Sequence, residues 1–296
     1  MYQMPEDDAL FPSDEELDEI IVGPDSVAWR ITSDARLYFA MLYPLLLQVA
    51  HPTVGAGVRD YSDFEERPWN RLVRTVDYVS LLVYGGRAAV PAGRRLRSLH
   101  GNFRGVREDG QPYHALEPDA YAWVHATLID TYVSGHAHFG RPMSHQDVER
   151  FYREYRGLGR LIGVREHDLP DDWASFREYF ERVKREELMP NSSVQKVLDT
   201  VRHATPPFPL PNLLWRAVRL PARRALWLGG VGLIDKPLRE RLGIPWSRQD
   251  ETQLRALGAI SRGLTPIMPE RLQVMGPAQL RVRWRKIAQG PLGKAA

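Results

Sequence analysis

The hydrophobic positions of this chain recur at three- and four-residue spacing through most of its length, a period that belongs to helices. Between Pro68 and Tyr84 the residues Leu72, Val76, Val79 and Val83 mark such a stripe, and Gly85-Gly86 supplies the stop. Glu117-Pro118-Asp119 opens a second segment, predicted to run to about Ser134 before Gly135, because proline is preorganised for a first helical turn. Ser144 is placed as the N-cap of a helix reaching Leu161, and Asp171 to Leu188 repeats that form. Ala35 to Ala50 is almost wholly apolar with Pro44 inside it, which predicts a kinked core helix. It is too short and too interrupted for a membrane span, which takes about 20 apolar residues. His51-Pro52 follows, and Gly55 and Gly57 predict a loosened turn before Tyr61.

Elsewhere the pattern is weaker. Residues 1–24 are acidic and form an arm, with one short helix expected around Asp14 to Ile21 and another at Ser26 to Arg30. A short helix is expected over Arg94 to Asn102, then a polar loop over Arg104 to Gln111. Thr205 to Pro211 reads as an extended, proline-rich connector. Leu213 to Leu228, Gln249 to Arg262 and Pro277 to Ala288 complete a helical last third. No strand alternation is evident. The expected fold is all-α, a single large multi-helix domain over residues 25–290 behind the acidic arm.

Composition narrows the class. Apolar residues at 43% and charged residues at 26% describe a globular protein, neither disordered nor integral to a membrane. The net charge of +3 comes from arginine, but the basic residues form no dominant patch with interleaved aromatics, so nucleic acid is not the expected partner. With no cysteine, disulfides, thiolate ligation, iron-sulfur clusters and cysteine nucleophiles are excluded. The acidic N-terminus is opposite in charge to a secretory leader, and a cytoplasmic location is expected. Motifs of the common hydrolase, phosphate-loop and dinucleotide-binding classes are missing.

Two helices carry the candidate chemistry. His125 stands within Tyr121-Ala-Trp-Val-His-Ala-Thr-Leu-Ile129, where an imidazole without partners costs about 1–3 kcal/mol. Its own face holds Tyr121, Leu128, Ile129 and Tyr132 and no carboxylate, so the ring is expected to be neutral. A neutral imidazole can give a lone pair to iron; it can equally be a core histidine bonded to another helix. Arg71, Arg74, Thr75 and Tyr78 fall at i, i+3, i+4 and i+7 on the first helix. Asp77 lies on another face. If buried, that stripe asks for an anion; if exposed, it is a solvated basic face. Haem would unite the two features, with His125 as axial ligand and Arg71 and Arg74 against the propionates.

The motifs Gln48-Val-Ala-His51-Pro52-Thr53-Val54, Ser62-Asp63-Phe64, Pro68-Trp69, Arg71-Leu-Val-Arg74-Thr75 and Trp123-Val-His125-Ala-Thr-Leu together resemble the bacterial DUF2236 family, grouped with the MpaB-type oxygenases and latex clearing proteins. The resemblance spans roughly residues 25 to 285 in the ordering of its motifs. It implies an all-α fold enclosing one haem b, with a single histidine on the iron. A family helix carrying Arg-x-x-Lys-Thr lines the haem pocket, and Arg71 and Thr75 match its first and last positions, with His125 as the counterpart of the ligand. This chain has Arg74 where those proteins have lysine, which disfavours a general base there and leaves charge or hydrogen bonding. The implied activity is oxygenation of an apolar, unsaturated, isoprenoid- or lipid-like substrate with dioxygen. The alternative is a carrier or sensor binding haem or another amphipathic anion without turnover.

Weaker candidates remain. His51 is either a distal haem residue or a helix-end cap. His136 and His138 form a His-x-His pair, a poor signal for zinc or a di-iron site without further ligand motifs. Arg216, Arg219, Arg223 and Arg224 alternate with Leu and Trp across 213–228, suiting contact with an anionic membrane surface or the solvated face of a core helix.

Overall fold

The computed structural model describes residues 10–203 and 212–269, with the side chains of 212–219 left aside. It is all-α apart from one small hairpin. In chain order the helices are α1 (Asp14–Ile20), α2 (Val27–Thr32), α3 (Leu42–Ala50), α4 (Pro52–Tyr61), α5 (Pro68–Tyr84), α6 (Ala89–His100), α7 (Pro118–Phe139), α8 (His145–Gly159), α9 (Trp173–Glu186), α10 (Ser192–His203), α11 (Asn212–Val231), α12 (Lys236–Arg241) and α13 (Arg248–Leu264). The expected connector at 205–211 and the expected helix at 277–288 lie outside the described residues.

Helix α7 is the hub, because its sequence is apolar on nearly every side and has to be covered all round. It packs against α3, α8, α13 and the 3-10 segment Ala35–Ala40. Trp123 is fully buried and donates from its indole nitrogen to the Leu47 carbonyl at 3.0 Å, tying α7 to the end of α3. Two turns further on Asp130, also buried, accepts from Tyr43 at 2.7 Å, from Ser134 at 3.1 Å and from Arg177 of α9. The arm is anchored: Ser13 and Glu16 form a capping box at α1, whose Leu17 and Ile20 enter the core, and Glu16 accepts from Arg160 at 2.6 Å.

Several boundaries differ from the sequence expectation, each for a packing reason. The expected Gly55–Gly57 turn is helical: a Cβ at Gly55 would stand 2.4 Å from the Val49 carbonyl oxygen, so glycine lets α4 close on α3. Gly135 likewise continues α7, since a Cβ there would meet Leu37 at 2.7 Å, and the helix ends only at Gly140. The apolar run 35–50 divides into the 3-10 segment and α3, with Pro44 in the first turn of α3, where its missing N–H leaves no helical bond unmade. The expected polar loop after α6 holds an antiparallel pair, β1 (Arg104–Val106) with β2 (Pro112–His114). Helices α10 and α12 add to the expected set: α10 is amphipathic, burying Val194, Val197 and Leu198, and α12 is a single short helix capped by Asp235.

Candidate active site

The 3-10 turn Arg160–Ile162, with Gly163 after it, fixes α6 against α7. Gly93 of α6 presses on it so closely that a Cβ would fall 1.8 Å from the Leu161 carbonyl oxygen. Arg97, buried on α6, donates to the Gly163 carbonyl at 3.2 Å, and Tyr121 of α7 donates to the Ile162 carbonyl at 2.9 Å. Gly163 has φ +81°, a conformation that favours glycine. Through this knot the Arg97 guanidinium lies 5.5 Å over the Tyr121 ring, and the ring of His100, at the end of α6, lies 6.1 Å from Tyr121.

His100 bonds back to its own helix, as His138 and His203 also do. Its Nδ1 meets the Leu96 carbonyl at 2.7 Å, so that nitrogen carries the proton and Nε2 carries the lone pair. Nε2 has no hydrogen-bond partner among the described residues and is not sealed in. Burial lowers the pKa, the Leu96 carbonyl opposes that, and Arg71 and Arg97 lower it further, so the ring is neutral at pH 7. Phe103 stands 5.2 Å from His100 and stacks on Tyr61 at 4.2 Å, forming an aromatic wall on one side.

Arg71 reaches the same place from α5. Its side chain is accessible to solvent, and yet burial is the leading cause that lowers its pKa, followed by Arg74. By surface Arg71 is exposed, as a solvated basic face requires. The principal packing partners of α5 are α2 and α6 rather than α7. Facing this region, α7 shows one stripe that is not fully covered, Tyr121, Val124 and Leu128, at i, i+3 and i+7. Arg74 pairs with Asp63 at 2.9 Å, and the Thr75 hydroxyl donates to the Arg71 carbonyl at 3.0 Å within its own helix.

His125 is placed differently. It is 1% exposed, its Nε2 donates to the Tyr155 carbonyl at 2.8 Å, and its ring stacks on Tyr155 at 5.2 Å. Burial pulls its pKa down to about 4, with the Tyr155 carbonyl opposing. Its Nδ1 lone pair is enclosed without a partner. The expected neutral tautomer is present, but the ring belongs to the core between α7 and α8. Gly159 makes that fit, since a Cβ there would stand 2.9 Å from Nε2.

The remaining candidates disperse. His51 is buried where α3 meets α4, makes no side-chain cap, and has Nε2 3.4 Å from Glu187, whose pKa it lowers. His136 is buried 3.6 Å from Asp34 and His138 is exposed, so the pair does not converge. No group of three or more His, Asp or Glu residues able to hold a metal ion occurs among the described residues. Sequence reading missed His100 because Arg-Arg-Leu-Arg-Ser-Leu-His reads as a solvated basic helix. Its position in the last turn before a glycine was the available signal.

His100 of α6 and Arg71 of α5 thus lie near enough for the guanidinium to act on the imidazole in an all-α fold. The chain belongs to the family described as ER-bound oxygenase mpaB/B'/Rubber oxygenase, catalytic domain, whose profile matches residues 29–263. No curated protein matches it. No solved structure matches it either. No single described helix is long and apolar enough to cross a membrane.

Proposed function

We propose that the protein is a haem b-dependent oxygenase acting on an apolar, unsaturated, isoprenoid- or lipid-like substrate with dioxygen. The observation that supports the reading is His100: a neutral imidazole whose Nδ1 proton is held by a backbone carbonyl, whose Nε2 makes no hydrogen bond among the described residues, and on which Arg71 acts. Membership of a family of oxygenase catalytic domains supports the reaction class.

The residues present fit haem. His100 is the better donor to iron, and His125 is the second, since it would have to leave the Tyr155 carbonyl or ligate through its enclosed Nδ1. Arg71 suits a propionate. Arg74, shared with Asp63, adds charge there, and arginine is a poor general base. Thr75 fixes the helix turn between them. When bound, haem supplies the redox-active iron for dioxygen chemistry. The chain itself orients the imidazole, balances the ligand's charge and offers Val124 and Leu128 to an apolar substrate. A cytoplasmic location, with the 213–228 stretch touching a membrane that carries the substrate, completes the proposal.

The test is the absorption spectrum of protein expressed with ample haem. A Soret band is expected; His100→Ala should abolish or strongly shift it, while His125→Ala should keep it in whatever fraction folds. The reverse pattern assigns the iron to His125. A colourless protein that takes up no added haem overturns the reading, and a haem protein that consumes no oxygen with alkenes is a carrier.

A further inference from the structure

Helix α13 has two uncharged sides, and the fold covers one of them. Leu254, Gly258 and Ser261 are buried where α13 packs on α7 and α11. Ser261 donates to the Phe139 carbonyl at 2.8 Å, and a Cβ at Gly258 would stand 2.7 Å from the His138 carbonyl oxygen. On the opposite side Ala256, Ile260, Gly263, Leu264 and Ile267 follow one another at helical spacing, and all are exposed. Ile260 is 57% exposed and Leu264 45%, and Ile267, at 78%, is the most exposed large hydrophobic residue among those described. The nearby arginines leave the strip clear: Arg255 turns to Glu251 at 3.2 Å and Arg262 to the His138 carbonyl. A continuous apolar strip on an already anchored helix is a packing face without its partner.

The sequence repeats this strip shortly afterwards, in residues that lie outside those described. Within the helix expected over Pro277 to Ala288, Leu280, Trp284 and Ile287 recur at i, i+4 and i+7. At the same spacing Arg283 borders that face and Arg285 lies opposite it. We propose that the segment 277–288 folds back antiparallel to α13 and covers the strip, with Leu280 on Ile267, Trp284 on Leu264 and Ile287 on Ile260. Both triplets use the same steps of three and four residues, so reversing one brings all three pairs into register. Residues 268–276 can span about 30 Å, ample for the reversal, and Ala256 and Gly263 leave room for close approach of the second helix. Attachment to the same chain gives the segment a roughly millimolar effective concentration at the strip, an advantage over any separate partner.

The chain has no cysteine, so paired substitutions introduce the only thiols. A Cβ at Gly263 meets nothing within 4 Å, which makes that position a harmless anchor. Gly263→Cys is combined in the full chain with Arg283→Cys or with Arg285→Cys, two variants of equal charge and nearly equal tether length. Cross-linking by a short bismaleimide is followed by mass spectrometry in dilute solution. The Arg283 pair is expected to close roughly tenfold faster than the Arg285 pair, because a docked helix holds one thiol near α13 and turns the other away. Leu264→Glu, an exposed change that leaves the buried face intact, should bring the two rates together. Equal rates in the absence of Leu264→Glu describe a free tether and overturn the proposal. Cross-links only between chains assign the strip to a second copy, and no cross-link in either variant, with Leu264-dependent binding to anionic phospholipid vesicles, assigns it to a lipid surface; each overturns the proposal as well.

Discussion

The Tyr155 carbonyl accepts the Nε2 proton of His125 at 2.8 Å, which commits the most buried imidazole among the described residues to the core. His100, half-buried, keeps its Nε2 open. Burial and availability for chemistry have been divided between two histidines that sequence patterning ranks in the opposite order.

The first consequence is a pH dependence. His125 has a pKa of about 4 in the fold against 6.5 ordinarily. Between those values the unfolded chain takes up a proton that the folded chain refuses, so stability is complete above about pH 6.5 and falls as pH drops toward 4. The loss across that window is about 3 kcal/mol from this group. Burial lowers the pKa of His100 and His136 as well, which adds in the same direction. Urea midpoints at pH 7 and pH 5 should show the slope, and His125→Phe should flatten it; an unaltered slope in that variant would assign acid sensitivity elsewhere.

Gly93 sets the distance between α6 and the Arg160–Ile162 turn. Gly93→Ala would place a methyl 1.8 Å from the Leu161 carbonyl oxygen, so backbone must move. A cost of about 3 kcal/mol or more is expected, the upper end for overpacking. Because the same contact holds His100 near Tyr121, haem uptake should fall in the fraction that remains folded. Thermal unfolding and haem titration measure the two effects, and a variant as stable as wild type contradicts the close approach.

Asp130 is a buried carboxylate whose cationic partner is Arg177. Arg177→Ala leaves the charge in the core with only hydroxyl donors and should cost about 3–5 kcal/mol. Asp130→Asn combined with Arg177→Ala should recover part of that loss, since no charge is then stranded. A double variant as unstable as the sum of the singles would show that the two side chains do not act as a pair.

Arg71 and Arg74 should differ in weight despite their equal charge. Among the described residues Arg71 has no carboxylate bound to it, whereas Arg74 already has Asp63 at 2.9 Å in a part-exposed pair. Arg71→Ala is expected to weaken haem binding about tenfold, as for a lost charge-assisted bond. Arg74→Ala should have a smaller effect and change stability by less than about 1 kcal/mol. Equal effects in a haem titration would contradict this ranking.

The periodicity of apolar residues by itself determined the helical class and the extents of α5 and α8 to within a few residues, because these depend on local spacing. It also placed Arg71, Arg74, Thr75 and Tyr78 on one face of α5. What only the tertiary structure decided was which imidazole meets Arg71. The Gly93 contact, the Arg97–Gly163 bond and the Tyr121–Ile162 bond join residues distant in sequence, and no local pattern carries their geometry. The glycines at 55 and 135 show the same division: their sequence signature is that of a turn, and close approach of another segment makes them helical. Hydrophobic spacing records which face of a helix is buried, but the partner of that face, and so the site, is set by long-range packing.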